Sequence, residues 1–189
     1  MKNIYLIVGA SGSGKTTITE LLARDHGLKT VWSYTTRPPR HEGEEGHIFV
    51  SDDEFDRLGE MCAYTEYNGY RYGVTSEIID QNDIYVIDPP GISYLKQHYK
   101  GHKGLVTVFL DISEEIRRKR MEARGDDPEA IERRLEMDRK WFDKSTFDFD
   151  LNFSIAERFD PDKISLKPWT PDEVAKFVIS FIRHEEKRE

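Results

Sequence analysis

Cysteine occurs once in the 189 residues, at Cys62, so an internal disulfide is excluded. With no motif around it, a single cysteine reads as a small apolar filler rather than a nucleophile. Long apolar runs are missing: no stretch reaches the ~18 consecutive residues that a membrane span needs. Met1-Lys2-Asn3 leads straight into an apolar segment instead of a signal-peptide pattern, so a soluble cytoplasmic protein is expected. Basic excess is also absent. The 28 Lys and Arg face 36 Asp and Glu, a formal net charge of −8, which argues against nonspecific binding to nucleic acid. Any phosphate chemistry must therefore use a local basic cluster. The chain has no internal repeat, low-complexity tract or linker, and its length suits one domain.

Ile4 to Val8 is an apolar run that ends in a glycine-rich stretch, and Lys15 to Asp25 reads as a helix stopped by Gly27. Val31 to Tyr34 reads as a second strand. Pro38-Pro39 then imposes an extended, rigid segment. Ser51 to Glu54 is a capping box, and the tyrosine-rich stretch from Ala63 to Tyr72 is strand-like with a break at Asn68-Gly69. Ile84 to Ile87 and Leu105 to Leu110 are continuous apolar runs, as expected of strands buried on both faces of a parallel sheet. Helices are expected from Ser113 to Arg124 and from Asp127 to about Trp141. Leu151 to Ile155 is a candidate last strand, and Thr170 to Glu173 caps a closing amphipathic helix. Strands alternating with helices predict an α/β fold.

Gly9-Ala10-Ser11-Gly12-Ser13-Gly14-Lys15-Thr16 satisfies G-x-x-x-x-G-K-[ST], directly after a strand and opening a helix. In that context the glycines let successive backbone N–H groups face phosphate oxygens, and the helix N-terminus adds a favourable dipole. Lys15 reaches the β and γ phosphates, and the Thr16 hydroxyl can ligate Mg²⁺. The candidate ATP contacts are Gly9, Ser11, Gly12, Ser13, Gly14, Lys15, Thr16 and Thr17, with Thr16 as the metal ligand. The loop establishes nucleotide binding but not the acceptor. Downstream, Arg37 and Arg40 flank Pro38-Pro39, and arginine forks suit bidentate grip on a monophosphate. Arg117, Arg120 and Arg124 recur at i, i+3 and i+7 on one helix face, with Arg133-Arg134 on the next helix.

After the phosphate loop, the order of Ser33 to Arg40, Gly43-Glu44, Phe49-Val50-Ser51, Gly69 to Gly73, Ile84 to Asp88 and Arg120 to Gly125 resembles the guanylate kinase family. The likeness spans roughly residues 4 to 135. It implies a P-loop kinase with a central parallel five-stranded sheet, a small β-rich nucleoside-monophosphate-binding insertion at about 33–79, and a helical lid at about 113–141. The core would be 1–32, 80–112 and 142–189. It implies phosphoryl transfer from ATP with Mg²⁺ to GMP or dGMP, with small nucleotides as partners and no nucleic acid or membrane; nothing in the pattern sets an oligomeric state. Arg37, Arg40 and Tyr72 would hold the acceptor phosphate, with Ser33, Thr75 and Asp88 near its base. Lys15, Arg37, Arg120, Arg124 and Arg134 would be the catalytic charges. Asn152 matches an adenine-contacting asparagine of the family.

The departures from the family pattern concern the acceptor. His47 stands where a phosphate-binding tyrosine is expected; it can donate a hydrogen bond to phosphate, or it can be structural. A gapless count places the family's base-reading glutamate on Ala63, so Glu66 is the nearest acid, and Val74 replaces a serine. Asp88 has a second reading as a helix cap. A kinase for a different nucleoside monophosphate and a noncatalytic phosphopeptide-binding module are the competing readings.

Overall fold

Ile4 to Val8 are buried completely and form the first strand, β1 (Asn3–Val8). The computed structural model of the chain describes residues 1–39, 41–67, 69–142 and 169–188, and of 151–154, 158–160 and 165–167 the backbone alone. The elements after β1 are α1 (Lys15–His26), β2 (Ser33–Thr35), β3 (His47–Phe49), α2 (Asp52–Phe55), β4 (Ala63–Tyr67), β5 (Tyr70–Val74), α3 (Ser76–Gln81) and β6 (Ile84–Val86). Then come α4 (Pro89–His98), β7 (Gly104–Asp111), α5 (Glu114–Ala123), α6 (Pro128–Trp141), β8 (Leu151–Ser154), β9 (Arg158–Asp160), β10 (Ser165–Lys167) and α7 (Pro171–Glu185). No helix among the described residues is long and apolar enough to cross a membrane.

The fold is α/β with a parallel sheet. Its strand order is β6-β1-β7-β8, with β7 and β8 parallel in the register Val108 to Leu151. The described residues thus give this sheet four strands and not the five expected. The reason lies in the segment read as a strand from Val31 to Tyr34. Thr30 makes only a single parallel bridge to Ile84, and the Val31 N–H donates to the Ile84 carbonyl at 2.8 Å. Ser33 to Thr35 then leaves to form β2 in a second, mixed sheet of order β3-β2-β5-β4. There β2 runs parallel to β3 and antiparallel to β5.

The chain divides into two compact units, residues 1–6 with 28–105 and residues 7–27 with 106–189. In the first, α4 packs on β4 and buries Ile92 and Leu95. A Cβ on Gly73 would lie 2.8 Å from Met61 Sδ and 2.9 Å from Phe55 Cζ, so a side chain there would have to displace both. In the second, α7 packs on α1, with Val174, Val178 and Ile182 buried on α7 and Ile18 and Leu22 buried on α1. Helices α5 and α6 close over a small cluster of Met121, Ile131 and Leu135. Caps seen in the sequence are made: Asp127 accepts from the Ala130 N–H at 2.9 Å, and Ser51–Glu54 and Thr170–Glu173 are complete capping boxes.

Candidate functional site

In the second unit, β1 runs into the glycine loop and α1 starts at Lys15, with Gly14 as its left-handed N-cap at φ 94°. Two loop glycines are required by crowding. A Cβ on Gly9 would lie 2.9 Å from the Leu110 carbonyl, and one on Gly12, at φ +77°, would lie 2.8 Å from the Arg117 carbonyl. Lys15 Nζ turns back onto the loop and donates to the Gly9 carbonyl at 2.5 Å and the Ala10 carbonyl at 3.2 Å. Ser13 is 3% exposed, and its Oγ is buried with no hydrogen-bond partner among the described residues. A buried hydroxyl is costly in that state, so it marks a place for an incoming polar group. Thr16 and Thr17 are exposed at the start of α1.

The lid arginines divide into three environments. Arg120 Nη1 donates to the carbonyls of Gly12 and Ser13, each at 3.2 Å, and burial pushes its pKa down. Arg124 and Arg134 share the Asp126 carboxylate: Arg124 grips it with two bonds of 2.8 and 2.6 Å, and Arg134 adds one of 2.6 Å. These bonds, that from Arg124 foremost, hold the Asp126 carboxyl below its usual range. Arg117, expected on the same face as Arg120 and Arg124, is buried and pairs with Asp138 at 2.9 Å. Asp138 also accepts from the Ser11 N–H at 3.0 Å, so both donors of Ser11, a residue expected to face ATP, turn to this acid. Burial raises the Asp138 pKa, against the opposing bonds from Ser11 and Arg117. Asp138 was not foreseen. The available signal was an acid on the apolar stripe of α6, seven residues after Ile131 and three after Leu135.

In the first unit, strand pairing collects the acceptor candidates. Ser33 lies opposite His47 and Thr35 opposite Phe49; Thr35 also faces Tyr72 across β5. Paired residues share a sheet face, and residues two apart do likewise, so Ser33, Thr35, His47, Phe49, Tyr72 and Val74 line one side. Ser33 Oγ and His47 Nδ1 are 2.8 Å apart, and the His47 ring meets Tyr72 edge-on at 5.7 Å. Arg37 is 9% exposed. Its guanidinium forks onto Glu44 with bonds of 2.7 and 3.2 Å and sits 5.4 Å from the Phe49 ring. Glu44, with a smaller contribution from Tyr72, raises its pKa. Its Nε is buried without a partner among the described residues.

The remaining candidates are positioned by other features of the unit. Glu66 pairs opposite Arg71, whereas Thr65 pairs opposite Tyr72, so strand alternation puts Glu66 on the other face. There it accepts from Tyr64 at 2.5 Å, and burial together with Glu66 raises the tyrosine pKa to about 12. Ala63 shares the Tyr72 face and lies opposite Val74; both are buried, so that end of the face is apolar. Asp88 accepts from the Gly91 N–H at 2.6 Å as the N-cap of α4, which is the cap reading. Thr75 is the N-cap of α3 without a side-chain capping bond. Arg40 lies outside the described residues, as does the Asn152 side chain.

Residues 1–157 match the family profile for guanylate kinase. The guanylate kinase of Neisseria gonorrhoeae is 36% identical, over 78% of this chain and 78% of that protein. A ribose 1,5-bisphosphate phosphokinase of Thiobacillus denitrificans is 32% identical, over 70% of this chain and 74% of that protein. A solved guanylate kinase from Anaplasma phagocytophilum shares the fold at a TM-score of 0.58 and 21% identity, covering 100% of this chain and 89% of that one. With its glycine loop, its buried Arg37–Glu44 fork and a profile match over most of its length, the chain belongs to the guanylate kinase family.

Proposed function

We propose that the protein transfers the γ-phosphoryl group of ATP to a nucleoside monophosphate, with GMP or dGMP as the preferred acceptor. The observation that carries the acceptor half is Arg37. A buried guanidinium, fixed by Glu44 and left with an unpartnered Nε beside Tyr72, is a preformed receptor for a dianionic phosphate. Glu44 keeps that charge compensated until the phosphate arrives. Ser33, Thr75 and Asp88 are assigned to the nucleoside side, and Arg40 and His47 to the phosphate.

Phosphoryl transfer asks little covalent work of a protein, so positioning and charge stabilisation carry the rate. A triphosphate offers Lys15 an anionic partner in place of the Gly9 and Ala10 carbonyls, and gives the Ser13 hydroxyl the partner it lacks. Arg120, already bonded to the loop, is the arginine best placed to meet the transferring group. Arg124 and Arg134 must exchange Asp126 for phosphate oxygens before they contribute. The described residues contain no cluster of three or more His, Cys, Asp or Glu suited to a metal. The exposed Thr16 hydroxyl at the start of α1 would give a Mg²⁺ ion one protein ligand, with phosphates and water supplying the rest. Bound Mg²⁺ would neutralise charge on the β and γ phosphates.

The test is ADP release from ATP and Mg²⁺ with GMP, dGMP, AMP, CMP, UMP, dTMP and ribose 1,5-bisphosphate offered separately. Turnover confined to GMP and dGMP is expected. Turnover with a different acceptor alone removes the guanine assignment, and no turnover with any removes the kinase assignment.

A further inference from the structure

Ser11 is held at both ends of its peptide groups by one buried ion pair. Its N–H donates to Asp138 Oδ2 at 3.0 Å, and its carbonyl accepts from Arg117 Nη1 at 3.2 Å. The same Nη1 reaches Asp138 Oδ2 at 2.9 Å, and Ser11 Oγ lies 3.4 Å from Oδ1. Arg117 is anchored in turn, because its Nε donates to the Ile112 carbonyl just past β7 at 3.1 Å. Both side chains are 7% exposed. A buried ion pair is poor value as a stabilising device, since desolvation offsets most of its attraction. An apolar pair would fill the same space between α5 and α6. What an apolar pair cannot do is fix a peptide donor and a peptide acceptor of the glycine loop at once.

We propose that Arg117 and Asp138 are positioning residues for the triphosphate: Asp138 sets the orientation of the loop at Ser11, and Arg117 makes that acid tolerable beside a polyanion. The inference rests on the loop being the ATP site. Its distinguishing feature is an asymmetry. A carboxylate bonded to a phosphate loop repels the ligand unless its charge is compensated, and Arg117 is the cation in contact with it. Loss of Arg117 removes the contacting cation and leaves the Asp138 charge on the loop with the weaker attraction of Lys15. Loss of the Asp138 charge leaves a positive one, which does not oppose phosphate. A purely structural pair has no reason to obey that order, because removing either partner strands a buried charge of similar cost.

The experiment is calorimetric titration of the intact protein with ADP and, separately, GMP, for the wild type, Arg117→Met, Asp138→Asn and the double variant, with urea unfolding of each. Arg117→Met is expected to weaken ADP binding about tenfold or more, Asp138→Asn by less than about fivefold, and the double variant to recover part of the Arg117→Met loss. GMP affinity should stay near wild type throughout. If Arg117→Met does not fold, the double variant and the near-isosteric Asp138→Asn carry the test: ADP affinity equal to wild type in both overturns the proposal. Parallel losses of ADP and GMP affinity, or equal losses from either single substitution, also overturn it. Wild type that does not bind ADP at all instead removes the reading of the loop, which is a separate failure.

Discussion

Ser33 and His47, 14 residues apart in sequence, are joined by a 2.8 Å contact between Oγ and Nδ1 across the parallel β2–β3 pair. The bond orients the imidazole toward a face that also carries Tyr72, and ring packing against Tyr72 and Phe49 holds it there. His47→Phe keeps the packing and removes the polar atoms. A hydrogen bond lost at this site is worth about 0.5–1.5 kcal/mol, so KM for the acceptor should rise several-fold while KM for ATP is unchanged. Steady-state kinetics against each substrate check this, and an unchanged acceptor KM assigns His47 a packing role alone.

Arg37 and Glu44 should respond differently to substitution. Arg37→Lys keeps a charge but loses the planar fork, and hydrogen bonds to charged groups are worth about 1.5–3 kcal/mol. A fall of roughly tenfold to a hundredfold in kcat/KM for the acceptor is expected. Glu44→Ala leaves the buried guanidinium uncompensated, and removing one partner of a buried pair costs about 3–5 kcal/mol. Its signature should be a lower urea midpoint, measured by tyrosine and tryptophan fluorescence.

Gly12→Ala and Gly59→Ala form a controlled comparison. Both glycines have positive φ, +77° and +83°, but a Cβ on Gly12 meets the Arg117 carbonyl at 2.8 Å, whereas nothing lies within 4 Å of one on Gly59. Gly59→Ala should cost only the left-handed backbone penalty of about 1–2 kcal/mol with nucleotide binding intact. Gly12→Ala should add steric displacement of the loop from α5 and weaken ADP binding. Calorimetry and denaturation on the two variants separate the effects.

Acid should act on two aspartates with opposite sign. Asp126 has its pKa lowered, first by the bonds from Arg124. Its contribution is present above the unfolded value of about 3.9 and is lost as pH falls through the folded value. Asp138 has its pKa raised by burial. Its contribution is complete below the unfolded value and is lost as pH rises through the folded one. Asp126→Asn should therefore flatten the loss of stability on acidification, and Asp138→Asn should remove a loss on the rise from about pH 4. Thermal midpoints of both variants between acid and neutral pH provide the measurement.

Cys62 should be inert in the folded protein. It is 2% exposed, its Sγ donates to the Val74 carbonyl at 3.2 Å, and burial pushes its thiol pKa up. A thiol reagent should label it slowly in the native state and rapidly in urea. Fast native labelling would show that the β4–β5 edge opens readily.

Local chemistry was legible along the chain: the glycine loop, the capping boxes at Ser51 and Thr170, the Asp127 cap and the apolar strands depend on neighbours within a few residues. The glycine loop is legible as a motif, although the crowding that requires Gly9 and Gly12 comes from Leu110 and Arg117, far along the chain. What tertiary structure alone decided is which charges meet. Arg117, Arg120 and Arg124 share a helix face in the sequence pattern, yet one is buried on Asp138, one touches the loop and one pairs with Asp126. Glu66 was the nearest acid to position 63, but strand alternation sends it away from Tyr72. The segment read as one strand from Val31 instead follows a single bridge at Thr30 to Ile84 and enters the second sheet as β2. Helix caps and glycine turns are decided by short-range sterics, which the order of residues contains. An ion pair between residues 117 and 138, or a choice of sheet face, depends on desolvation and register that arise only when distant segments pack.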